Sequence, residues 1–163
     1  MTDLRDELNR MLDQYDERRS AVEARERQVK VDDERFLARF AELRRTIVRP
    51  VFESAGAVLT ERGHGFSIVE QEFGNDTAGK ATEAWITLSI APLGSEPLLH
   101  AGDHRRSLSI TTRHYNKTVW INAGASLDSG GMAGAKGAYT LDKIDRKLLE
   151  DALLQFVAGM VVA

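Results

Sequence analysis

The sequence predicts an α+β fold: a long N-terminal helix kinked near Pro50, a four-stranded antiparallel β-sheet meander, and a C-terminal helix packed on one sheet face. Three observations carry this reading. From Asp3 to Arg49 the chain holds 12 acidic and 12 basic side chains and neither glycine nor proline, with large apolar residues three and four positions apart. Beyond Gly63 the apolar period falls to two, and polar turn clusters separate the runs. After Thr140 the helical spacing returns.

The bulk composition sets the frame. A chain of 163 residues accommodates one domain of about 100–150 residues plus an appendage. The expected division is a projecting helical arm over 1–35, used for oligomerisation, and a globular domain over 36–163. A hydrophobic content of 42% supports a packed core, and a net charge of −3 argues against a generally basic nucleic-acid surface. The absence of cysteine excludes disulfides, thiolate metal ligands and a cysteine nucleophile. The opening Met1-Thr2-Asp3-Leu4-Arg5-Asp6-Glu7 has neither the basic nor the apolar segment of a secretory signal. No apolar run reaches the ~20 residues of a membrane helix. A cytoplasmic, non-membrane protein is expected.

In the first helix Thr2 or Asp3 is placed to cap the first turn. Leu4, Leu8, Met11 and Tyr15 follow steps of four, three and four, and Val22 and Val29 continue the seven-residue phase. These six residues are the expected interface of a homo-oligomer, with a dimer favoured. Between Tyr15 and Phe36 the stripe thins, and Arg18, Arg25 and Asp32 occupy seam positions. Acid-before-base pairs four apart, Asp6/Arg10, Glu23/Arg27 and Glu26/Lys30, are expected to support the middle by about 0.2–0.5 kcal/mol each. A bend near Ser20 or Asp32-Asp33, folding the segment into an internal hairpin, is the competing arrangement. Phe36, Phe40, Leu43, Ile47 and Val51 form a second stripe, out of phase with the first by an eleven-residue step from Val29 to Phe40. Pro50 is expected to kink the helix or start a new one, and Gly63 to stop it. The apolar arc at Ile47, Val48, Val51 and Phe52 is where it should dock on the body.

Strands are expected near His64–Phe73, Glu83–Ala91, Arg106–His114 and Thr118–Ala123, the last two as a hairpin with a short polar turn. Ile86, Leu88, Ile90, Leu108, Ile110, Val119 and Ile121 share the core face. A final helix from about Leu141 to Val161, with Thr140 as N-cap, can cover that face with Ile144, Leu148, Ala152, Phe156 and Met160. The opposite face mixes Ser and Thr with Trp85 and Trp120, and the Pro50 segment is expected to pack on it.

No constellation matches a catalytic motif well, so no catalytic residue is assigned. His100-Ala101-Gly102-Asp103-His104 has the spacing of a helical zinc pair, but Gly102 and Pro97 place it in a loop and the HExxH glutamate is absent. No metal site and no cofactor are expected. Glu70 and Glu72 share a strand face and are read as solvated. The glycine-rich Gly124–Gly137 stretch carries Lys136 but lacks the Gly-Lys-Ser/Thr of a phosphate loop, and reads as a loop. Together with Arg105, Arg106, Arg113 and His114 it defines the competing function, a small-ligand or phosphate-binding domain. The expectation that the sequence favours is a non-enzymatic, homo-oligomeric interaction or scaffold protein.

Overall fold

The computed structural model of the chain describes residues 3–93, 106–123 and 135–162. Helix α1 runs unbroken over Leu4–Leu43, then a π-helical turn over Arg44–Val48 leads into α2, Arg49–Glu61. There is no bend at Ser20 or Asp32-Asp33, so an internal hairpin is not formed. The helical irregularity precedes Pro50 rather than sitting on it. Proline has no N–H to donate, and its ring crowds the carbonyl four residues earlier. The chain meets this by widening the turn before it, and the Arg49 N–H bonds the Arg44 carbonyl, five residues back. Helix α2 stops as the sequence predicts. Gly63 takes φ +86, its N–H bonds the Thr60 carbonyl at 3.0 Å, and the His64 N–H bonds the Leu59 carbonyl at 2.9 Å. That bond pair closes a helix around a left-handed glycine.

The sheet has five strands rather than four. Strands β1 (Gly65–Gln71), β4 (Trp85–Ala91), β5 (Ser107–Arg113), β6 (Thr118–Ala123) and β7 (Ala135–Thr140) pair antiparallel in that order, and a small hairpin of β2 (Gly74–Asn75) and β3 (Ala81–Thr82) lies between β1 and β4. The added strand β7 takes up Lys136 and Gly137, where the glycine-rich sequence predicts a loop. It pairs Tyr139 with Val119 and Ala138 with Trp120, and its register shifts at Ile121/Asn122, where Lys136 is the extra residue of a bulge. The β5–β6 connection has four residues, His114–Lys117, with Lys117 left-handed at φ 59.

A 3-10 turn, Leu141–Lys143, separates the sheet from helix α3, Arg146–Val162. The expected Thr140 cap is not made; Asp145 instead accepts from the Leu148 N–H at 2.8 Å. The Thr140 hydroxyl donates to Asp142, and this bond holds the Asp142 carboxyl below its ordinary value of 3.8.

By contacts the chain separates into two compact units, Met1–Arg35 and Phe36–Ala163. The second contains one core. Ile86, Leu88, Ile90, Leu108, Ile110, Val119 and Ile121 are fully buried on one sheet face. In the same cluster lie Phe36 and Phe40 of α1, Val48, Val51 and Phe52 of the Pro50 segment, and Leu149, Ala152, Leu153 and Phe156 of α3. Both helical segments therefore cover the same face, which corrects the expectation that the Pro50 segment packs on the tryptophans. Seven aliphatic side chains over three strands present a wider apolar surface than α3 alone can cover, so a second helix is drawn there.

Candidate functional site

The first candidate surface is the helix of residues 4–35. Leu4, Leu8, Met11, Tyr15, Val22 and Val29 are each between 48% and 72% exposed. Leu12 is exposed as well and widens the stripe, while the exposed Val31 lies on the far side of the helix. No side chain of this unit belongs to the buried core, whose first members are Phe36 and Phe40. Its ion pairs differ from those expected from sequence. Arg10 bonds Glu7 and Arg19 bonds Glu23, so neither Asp6 nor Arg27 holds its expected partner, and no ion pair joins Glu26 to Lys30 among the described residues. A helix held by two exposed pairs gains about 1 kcal/mol or less from them.

The second candidate is the sheet end that gathers Arg113 and His114. Glu83, just before β4, accepts from the His114 backbone N–H at 3.1 Å and contacts its imidazole Nδ1. The imidazole also meets the Phe73 ring edge-on at 4.9 Å. On the outward face the Arg113 guanidinium lies 3.6 Å from the centre of the Trp120 ring, a close cation–π contact. Trp120 Nε1 is buried with no hydrogen-bond partner among the described residues. Around it the cross-strand rows Trp85/Thr111/Trp120 and Thr87/Ser109/Asn122 are half-buried, and Thr87 and Ser109 share a hydrogen bond of 2.8 Å. Arg113 and His114 are thus partnered within the chain.

The other residues of the expected basic edge are not brought to this end. Arg106 precedes β5 while Arg113 closes it, a strand length of roughly 20 Å. Lys136 stands in β7 beside Ile121/Asn122. Arg105, the His100/His104 pair and Gly124–Gly134 lie outside the described residues. Among the described residues no group of three His, Asp or Glu side chains is placed to hold a metal ion. His64 Nδ1 accepts from the Leu93 N–H at 2.8 Å.

Glu70 and Glu72 have partners that sequence reasoning missed. The Arg44 side chain is 7% exposed; it bonds Glu72, donates to the Gln71 carbonyl at 3.1 Å and to that of Trp85 at 3.5 Å, and lies 3.7 Å from Glu70. Its guanidinium also faces the Phe40 ring at 5.7 Å. Arg49 reaches Glu53 and Glu70 at 2.9 and 3.3 Å, and those hydrogen bonds raise its pKa further. The visible signal was Phe40, Arg44 and Val48 at steps of four, an arginine between two core residues on one helix face. The network fastens the π turn to the ends of β1 and β4 and is structural.

A third surface lies between α2 and α3, an apolar groove of about 410 Å³ lined by Val51, Ala55, Val58, Leu59, Leu153, Leu154 and Val157, with Arg146 and Glu150 at its rim. No helix among the described residues is long and apolar enough to cross a membrane. Compared with family models, curated proteins and solved structures, the chain returns no match.

Proposed function

We propose that the protein is a non-enzymatic, self-associating interaction or scaffold protein whose helix of residues 4–35 is its assembly element. One observation carries the reading: an apolar stripe of seven-residue period on that helix is exposed among the described residues. Helices of isolated charge pairs are marginal in water, and in proteins an amphipathic helix is held mainly by packing its apolar face. Leu4, Leu8, Met11, Tyr15, Val22 and Val29 supply such a face, and a second copy carries the same stripe.

The test is the solution mass of the full chain by sedimentation equilibrium, alongside the double variant Leu8→Asp, Met11→Asp. The expected outcome is a dimer for the unaltered chain and a monomer for the variant. A monomer at all concentrations for the unaltered chain overturns the reading.

A further inference from the structure

We infer that two copies of this chain pair their amino-terminal helices antiparallel, with Leu8 of each copy seated among Val22, Arg25, Glu26 and Val29 of the other; this rests on the self-association proposed above. Those four residues line a concavity of about 260 Å³ on the helix surface. Their spacing, i, i+3, i+4 and i+7, is that of the four-residue hole which a knob from a facing helix fills in a coiled coil. The two valines are small enough to leave it open, and their neighbours on the stripe are exposed.

The charges decide which knob enters. In a parallel, in-register pair the knob is Arg25 itself, so two guanidinium groups meet in the seam, Arg18 repeats the conflict, and Asp32 sets carboxylate against carboxylate. The flanking positions give no relief, since Ala21 faces Glu26 and Gln28 faces Asp33. Turning one helix round removes every one of these contacts. Leu8 then fills the hole, Leu4 stands opposite Val29, and Met11 opposite Val22. Arg18 stands opposite Tyr15, whose ring can take the guanidinium on its face. Asp32 falls beyond the paired span of Leu4 to Val29, about 40 Å at 1.5 Å per residue. Glu26 comes beside Arg5 of the other copy at both ends, and neither residue is engaged in an ion pair within its own chain among the described residues, where Arg10 and Arg19 take the glutamates Glu7 and Glu23.

Two measurements on the full chain test this, and the absence of cysteine makes single-site labelling clean. Spin labels at the exposed, off-seam positions Asp6 and Arg27, introduced as Asp6→Cys and Arg27→Cys in separate samples, report orientation. The expected result is an Asp6-to-Asp6 distance longer by about 30 Å along the axis than the Asp6-to-Arg27 distance measured in a mixture of the two. A dimer with the short distance at Asp6-to-Asp6 overturns the antiparallel arrangement and leaves self-association standing; a monomer overturns both. In the second measurement, Glu26→Arg raises the dimer dissociation constant about tenfold, and adding Arg5→Glu restores it to within about threefold. Independent, additive losses from the two reversals count against the pairing.

Discussion

At the scale of single residues the structure explains two placements that look costly from sequence. Arg44 is a buried cation, tolerable because two carboxylates and two backbone carbonyls receive it. Arg44→Ala strands those carbonyls and uncovers Phe40, and the expected loss is about 3 kcal/mol in urea unfolding, against less than about 1 kcal/mol for the half-exposed Arg49→Ala. Equal losses would show that Arg44 is held no more firmly than a surface arginine. Gly56 sits mid-helix in α2, where glycine costs about 1 kcal/mol relative to alanine. A Cβ there would press into the Phe66 ring, so the glycine gives that ring its seat. Gly56→Ala is expected to destabilise the chain carrying Phe66 and to stabilise a chain carrying Phe66→Ala, a change of sign read from a double-mutant cycle. Asp142 gives a pH signature. Because its folded pKa is lowered, its small contribution is present above 3.8 and is lost as pH falls through the folded value. Thr140→Val removes the leading cause, and the Asp142 carboxyl should then titrate closer to 3.8 by NMR.

At the scale of elements, the β5–β6 hairpin is closed by Lys117 in a left-handed conformation that favours glycine. Lys117→Gly relieves that strain but gives up the Lys117 Nζ bond to the His114 carbonyl, so the expected gain in thermal unfolding is at most about 1 kcal/mol. Elements with strong periodicity were legible in the sequence: Ile86/Leu88/Ile90, Leu108/Ile110 and Val119/Ile121 announced their strands and their common face. Strand β7 was not, because Ala135-Lys136-Gly137-Ala138 has no branched or alternating residues; what makes it a strand is the open edge of β6, a tertiary cause. The same limit applies at Thr140, whose side chain makes no cap. Thr140 precedes a 3-10 turn whose end is set by Leu141 and Ile144 entering the core, and Asp145 was the better-placed cap. The side to which the Pro50 helix packs depends on total apolar area over several strands, which no local pattern reveals. Of the candidate site, the exposed stripe could be read from heptad spacing alone, whereas the Glu83–His114 and Arg113–Trp120 contacts needed the strand register.

At the scale of the whole molecule, the buried core begins at Phe36, while the large apolar residues before it are exposed. With no described residue before Phe36 in the buried core, the helix of residues 4–35 and the globular unit should each show their own transition. The globular unit carries its own long-range pairings and should show a urea midpoint independent of protein concentration. The helix of residues 4–35 forms few internal side-chain bonds, and its stability should rise with concentration, because pairing follows mass action. Far-ultraviolet circular dichroism, which is weighted toward helix, should therefore show an early transition that moves with concentration. Tryptophan fluorescence, from Trp85 and Trp120 in the sheet, should show only the later one. In Leu8→Asp, Met11→Asp the early transition should shift to lower urea, with the stability read by fluorescence unchanged within about 0.5 kcal/mol. Coincident transitions at every concentration would mean that the helix is stabilised by the body of its own chain, and its exposed stripe would then lose its claim as an assembly surface.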